Sequence, residues 1–183
     1  MPSAAHHPER MTGAPYPSTM HVRLGTADDG LAIETIRVRG WRVAYRHVLP
    51  ANELDAMPID PSRWRTRLDR PPAGWSTFVV EHDGVVVGFA AVGPSRDEPG
   101  LGELYAIYVD PDAWSTGAGR ALIERAEEQL ARRYREATLW VLEDNPRARS
   151  FYERAGWHAD GARKAEVRWG VHAPEVRYRK AFA

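Results

Sequence analysis

At 183 residues, with 43% hydrophobic and 27% charged side chains, the chain has the length and composition of one soluble globular domain. Its 25 Lys and Arg balance 25 Asp and Glu, which argues against a protein living by attraction to nucleic acid or anionic membrane, and no run approaches the ~18 apolar residues of a membrane span. With no cysteine, disulfide scaffolds, thiolate zinc sites and cysteine nucleophiles are excluded, and the absence fits a cytoplasmic location.

Residues 1–19 carry Pro2, Pro8, Pro15 and Pro17 without apolar periodicity and without the apolar core of a secretory signal. They read as a disordered tail ahead of a single domain over 20–183. His21 to Leu24 alternates as a first strand, and Thr26 with Asp29 makes a capping box that opens a helix to about His47. That helix has two apolar stripes, Ile33/Ile36/Gly40/Val43 and Val38/Trp41/Tyr45/Val48, and so requires two partners. A two-faced helix also permits a homodimer. Prolines 50, 58, 61, 71 and 72 punctuate short helical pieces. Thr77–Glu81 and Val85–Val92 flank Asp83-Gly84, a type I′ hairpin turn.

Glu103–Val109 is the next strand, and its alternation predicts that Glu103, Tyr105, Ile107 and Val109 share one face. Gly117-Ala118-Gly119 then opens a helix with the stripe Leu122, Ala126, Leu130, Tyr134. Thr138–Leu142 is a strand; Pro146 starts a helix that Gly156 ends; Trp157 onward and Glu175–Lys180 are strands. The succession is an α/β (α+β) mixture whose first half is antiparallel.

Two segments carry chemistry. A glycine-rich turn entering a helix leaves N–H groups unpaired at the positive end of the helix dipole, a cradle for a pyrophosphate. The turn at 115–120 has that form but is neither a Walker A loop nor a good dinucleotide fingerprint, and by itself also fits a packing turn. The second segment runs Asn145-Pro-Arg-Ala148-Arg-Ser-Phe151-Tyr152 to Gly156-Trp157. Asn145 there suits a helix cap. Phe151 and Tyr152, about 100° apart on the helix, cannot both face the same core.

The pattern N-x-x-A-x-x-F-Y-x-x-x-G-W, following G-A-G by one helix and one strand, resembles the GNAT superfamily of acyl-CoA-dependent N-acetyltransferases over roughly residues 20–181. The resemblance implies a central mixed, mostly antiparallel sheet with splayed middle strands and flanking helices, and acetyl-CoA as acyl donor without a metal. It implies that amides of Ser115, Thr116, Gly117, Ala118, Gly119 and Arg120 hold the pyrophosphate. Val109, Asn145 and Ala148 then take the pantetheine, Ile107 N–H faces the thioester carbonyl, and Tyr152 sits near the sulfur. Glu103 falls where some members carry a general base, with a water relay or Tyr105 as rivals. Trp114 departs from the family's usual Gln or Arg, which puts a side-chain contribution there in doubt.

The chemistry is consistent with these roles: a carboxylate can take the amine's proton, a fixed N–H can stabilise the carbonyl oxygen, and a phenol can protonate the leaving thiolate. Trp41 and Tyr45, one turn apart, either wall the acceptor site or pack on the short helices. The Arg-rich run 37–46 reads as a solvated helix face rather than a nucleic-acid patch. The expected activity is direct acetyl transfer to a primary amine of a small molecule or peptide. A non-catalytic acyl-CoA sensor of the same fold is the alternative, and a nucleotide-binding protein using the glycine turn alone is a second.

Overall fold

The computed structural model describes residues 20–165, 167–168 and 170–182. The tail expected over 1–19 lies outside the described residues. In chain order the elements are β1 (Met20–Leu24), α1 (Gly30–Ala44), α2 (Ala51–Asp55), α3 (Ser62–Asp69), β2 (Ser76–His82), β3 (Val85–Pro94), β4 (Gly102–Val109), α4 (Ala118–Ala131), β5 (Glu136–Leu142), α5 (Pro146–Arg154), β6 (His158–Lys164) and β9 (Glu175–Ala181). Two residue pairs, β7 (Val167–Arg168) and β8 (Val171–His172), form a minimal ladder between β6 and β9 in the chain.

Seven strands make one sheet in the order β1-β2-β3-β4-β5-β9-β6. All neighbours are antiparallel except β4 and β5, which run parallel and pair only at Gly102↔Ala137 and Glu103↔Thr138. Beyond those two pairs the strands part, as the expected splay requires. The back face carries α4 and α5 over a core that includes Phe78, Ala90, Leu104, Leu122, Leu139 and Trp157. The front face carries α1 and α3 on Val79 and Phe89, through Ile33, Ile36 and Trp64.

The capping box at Thr26 forms: Asp29 Oδ2 accepts from Thr26 N–H at 2.7 Å. It opens one 3-10 turn, Ala27–Asp29, before α1. The α-helix stops at Ala44 rather than near His47. Its two stripes find two partners within the chain. One meets the front of the sheet, although Val43 on that stripe is 52% exposed. On the other, Trp41, Tyr45 and Val48 pack with Leu49, Leu54, Met57, Leu142 and Ala173. The arginines of this segment are engaged internally: Arg37 with Glu34, Arg39 with Asp110 and Asp112, Arg46 with Asp55. Arg42 donates to the carbonyls of Leu54, Asp55 and Met57, closing the end of α2.

One expectation about β4 is overturned. Ala106 pairs with Ala91 but Leu104 pairs with Val92, so Tyr105 is an extra, bulged residue. A bulge shifts the two-residue alternation by one. Glu103 and Tyr105 therefore face the front, while Ile107 and Val109 pack against the back core.

Candidate active site

Where β4 and β5 part, a cleft of about 820 Å³ passes between the faces of the sheet. At one end lies the turn from Asp110 to Gly117. The Asp110 carboxylate accepts Asp112 N–H at 2.9 Å and pairs with Arg39 at 2.8 Å, tying this turn to α1. Ser115 and Gly117 both have positive φ, 67° and 99°. Left-handed residues on either side of Thr116 curl the backbone so that N–H groups converge outward, an anion nest. A Cβ on Gly117 would meet nothing, so glycine is needed there for its conformation alone. The helical ladder of α4 begins with Ala121 N–H to Gly117 O at 3.0 Å, so the amides of Ala118, Gly119 and Arg120 precede it. Gly119 has a second constraint, since a Cβ there would lie 3.3 Å from Phe151.

The β4 backbone forms one wall. Asp110 N–H bonds to Val87 O at 2.8 Å. Antiparallel pairs alternate, so Val109 and Ile107 are non-hydrogen-bonded partners of Gly88 and Ala90, with their amide groups turned away from β3 toward the gap. Trp114 folds back over this wall. Its Nε1–H donates to Val109 O at 2.9 Å, and the Arg147 guanidinium lies 3.7 Å from its ring centre. The position where a family Gln or Arg was expected thus holds an indole carrying an arginine from α5. Arg147 lines the cleft and was not anticipated, although it stands between Asn145 and Ala148 in the second motif.

The α5 side forms the opposite wall. Asn145 is the helix cap, its Oδ1 accepting Ala148 N–H at 3.0 Å. Capping and lining are therefore one role, because both Asn145 and Ala148 border the cleft. Phe151 and Tyr152 diverge as their spacing required. Phe151 packs beside Gly119, and Tyr152 is buried yet lines the cleft. Burial, and to a lesser degree Tyr108, pushes the Tyr152 phenol well above its ordinary range, so it stays protonated at neutral pH and can donate.

The sequence-predicted residues divide as follows. Ile107, Val109, Ser115, Gly117, Gly119, Arg120, Asn145, Ala148 and Tyr152 all border the cleft, as do Trp41, Tyr45 and Tyr105 on the front. Thr116 and Ala118 do not; the Thr116 hydroxyl turns to Ala113 O and Ala118 is in the back core. Trp41 and Tyr45 satisfy both readings at once, walling the cleft and packing near α2.

Glu103 is a correction. It does not line the cleft; it is 1% exposed, and its oxygens accept from Arg96 N–H at 2.9 Å, from Arg96 Nε–H at 3.0 Å and from Arg96 Nη2–H. Arg96, not Glu103, borders the cleft. Tyr105 is no better placed as a base, since its hydroxyl donates to Pro94 O and burial raises its pKa. Three further residues reach the front mouth and were not anticipated: Trp140, Lys164 and Glu175. Trp140 and Glu175 lie in alternating strand segments that carry no further signal, and Lys164 is one of only two lysines in the sequence. Among the described residues no group of three or more His, Asp and Glu could hold a metal ion, and no helix is long and apolar enough to cross a membrane.

A mostly antiparallel sheet, opened at one parallel pair beside an amide nest, is the arrangement that the resemblance to acyl-CoA-dependent acetyltransferases implies. Residues 38–157 match the acetyltransferase (GNAT) family model, and the chain belongs to that family. It is 34% identical over 131 residues to a Bacillus subtilis protein named Uncharacterized N-acetyltransferase YuaI, covering 68% of this chain and 73% of that one. It is 29% identical over 171 residues to a Mycobacterium tuberculosis protein named Probable N-acetyltransferase Rv2775, covering 89% and 94%. Among solved structures, the PaiA N-acetyltransferase of Thermoplasma acidophilum in complex with coenzyme A superposes with a TM-score of 0.70 at 16% identity, covering 90% of this chain and 99% of that one.

Proposed function

We propose that this protein moves an acetyl group from acetyl-CoA to a primary amine, on a small molecule or a peptide, by direct attack within a ternary complex. The observation that carries the reading is the continuity of one cleft from the amide nest at 115–120 to an aromatic mouth on the opposite face of the sheet. The donor set suits CoA: the nest offers several N–H groups to a pyrophosphate, and the gap exposes strand amides to an extended pantetheine arm. The Thermoplasma relative was solved with coenzyme A, which supports the same ligand here.

Acetyl-CoA, when bound, supplies an acyl carbon carrying a thiolate leaving group. Backbone amides of Ser115 to Arg120 hold the pyrophosphate, with Arg147 beside them on Trp114. Val109 orients the arm, and Asn145 and Ala148 close the other side. Trp41 and Tyr45 direct the acceptor to the front mouth. The acceptor loses one proton to solvent through water, since Glu103 is enclosed by Arg96. Its nitrogen forms the C–N bond while Ile107 N–H stabilises the carbonyl oxygen. The C–S bond breaks and the Tyr152 hydroxyl protonates the thiolate, the second nitrogen proton restoring the phenol. The acetylated amine, free thiol and one proton are the products.

Two measurements test this. Calorimetry should give CoA binding to the wild-type chain and none to Gly119→Glu, whose carboxylate would enter the nest beside Phe151. Thiol release should then be found with members of a primary-amine panel. ATP binding without CoA binding overturns the reading. CoA binding with no turnover on any amine assigns the chain to the acyl-CoA sensor instead.

A further inference from the structure

At the front mouth the sheet itself builds a cation site. Glu175 is the cross-strand partner of Leu142, two residues after Trp140, so the carboxylate and the indole are diagonal neighbours on one face. The indole is fixed by its N–H, which donates to Asp97 Oδ2 at 2.6 Å. Glu175 is 9% exposed. Into this corner reaches Lys164 from β6, with Nζ 2.9 Å from Glu175 Oε2 and 4.5 Å from the centre of the Trp140 ring. A primary ammonium is thus held inside the cleft by a carboxylate and a π face, the two groups that recognise such ions. The Lys164 side chain keeps 34% of its exposure, so its path back to solvent is open. The other charged groups facing this corner are engaged elsewhere: Arg96 pairs with Glu103, and Arg177, 5.7 Å from the centre of the Trp140 ring, pairs with Glu98 and Asp160.

We propose that Glu175 and the face of Trp140 form the subsite for the acceptor's ammonium, and that Lys164 is an internal competitor which the acceptor displaces. This rests on the amine-acetylation reading and adds the residues that select the amine. Tyr45, Tyr105 and Trp41 surround the same mouth, so an amine with an aromatic tail is the ligand class that fits.

The test uses 2-phenylethylammonium as probe, titrated into the CoA-saturated full chain and followed by calorimetry. Glu175→Gln should weaken binding roughly tenfold or more, through loss of a charge-assisted contact. Lys164→Met should tighten it by about threefold to tenfold, because removing an internal competitor raises the competent fraction. The neutral 2-phenylethanol should bind all three proteins alike. A merely structural ion pair would make both variants move together, so equal weakening by the two overturns the proposal. So does wild-type affinity in Glu175→Gln, or no probe binding to wild type and Lys164→Met alike. Should Glu175→Gln fail to fold, Trp140→Leu takes its place, with weakening expected and unchanged affinity refuting. Thiol release with the same amine separates the two readings. Glu175-dependent binding with no turnover of this or any other amine of the panel removes the transferase and leaves the subsite standing; turnover indifferent to Glu175 does the reverse.

Discussion

Tyr152 shows how one side chain joins packing to chemistry. Its ring belongs to the back core, and the burial that stabilises it there also keeps its hydroxyl protonated. Tyr152→Phe preserves the ring and removes the proton, so turnover should fall about 10²-fold while CoA affinity stays within a factor of about two. Equal losses in steady-state turnover and calorimetric affinity would reduce Tyr152 to a packing residue. Glu103 is the converse case, a carboxylate in a suggestive sequence position whose lone pairs are taken by Arg96. Glu103→Gln should cost about 1–3 kcal/mol of stability in denaturant melts, since the buried carboxylate loses its charge-assisted bonds to the largely exposed Arg96 side chain. Its turnover should remain within about fivefold of wild type, far short of the ~10²–10⁴ supplied by a general base. A loss of that size, greatest at low pH where the amine is protonated, would restore Glu103 as the base.

Elements are positioned by their ends. The entry to α1 depends on Asp29, which accepts from Thr26 N–H and forms a two-oxygen pair with Arg23 at 2.7 and 2.8 Å. Arg23, more than any other group, holds the Asp29 carboxyl below its usual range against the opposing effect of burial. A depressed folded-state pKa means that the unfolded chain takes up protons first as pH falls. The stabilisation is therefore complete above the ordinary carboxyl pKa of about 4 and is lost as pH drops through the folded value. Asp29→Asn should be about 1–2 kcal/mol less stable than wild type in urea melts at pH 7, and the two should converge in acid. A gap that does not narrow as pH falls through the carboxyl range would mean that cap geometry, not charge, holds the helix. This capping box was legible from Thr26 and Asp29 because capping is local. The bulge at Tyr105 was not, because it arises from register against β3, and nothing within Glu103–Val109 departs from simple alternation.

For the whole molecule, the decisive feature is where the sheet opens. Gly102 sits in the first of the two closed pairs, opposite Ala137, and a Cβ there would lie 2.7 Å from both Leu130 and Tyr134. Gly102→Ala should therefore push the end of α4 from the sheet and cost about 1–3 kcal/mol, measured by chemical denaturation. Unchanged stability would show that α4 seats independently of this contact. Across the opening the half-sheets are also bridged by Glu98, which pairs with Arg177 and Arg179 of β9. The zero net charge met in the sequence thus resolves into local pairs of this kind, together with those that tie the arginines of α1 to their acidic neighbours.

What the sequence determined by itself was the order of elements, the glycine nest, the Asn145 cap and the divergence of Phe151 from Tyr152, since each depends on residues within one or two turns of each other. Tertiary structure alone decided which carboxylate meets the cleft. Glu103 was turned into an ion pair by a bulge and by Arg96, while Trp140, Lys164 and Glu175 were brought from three strands to one corner. Side-chain facing on a sheet follows from the register with neighbouring strands, and that register is not encoded in any one strand.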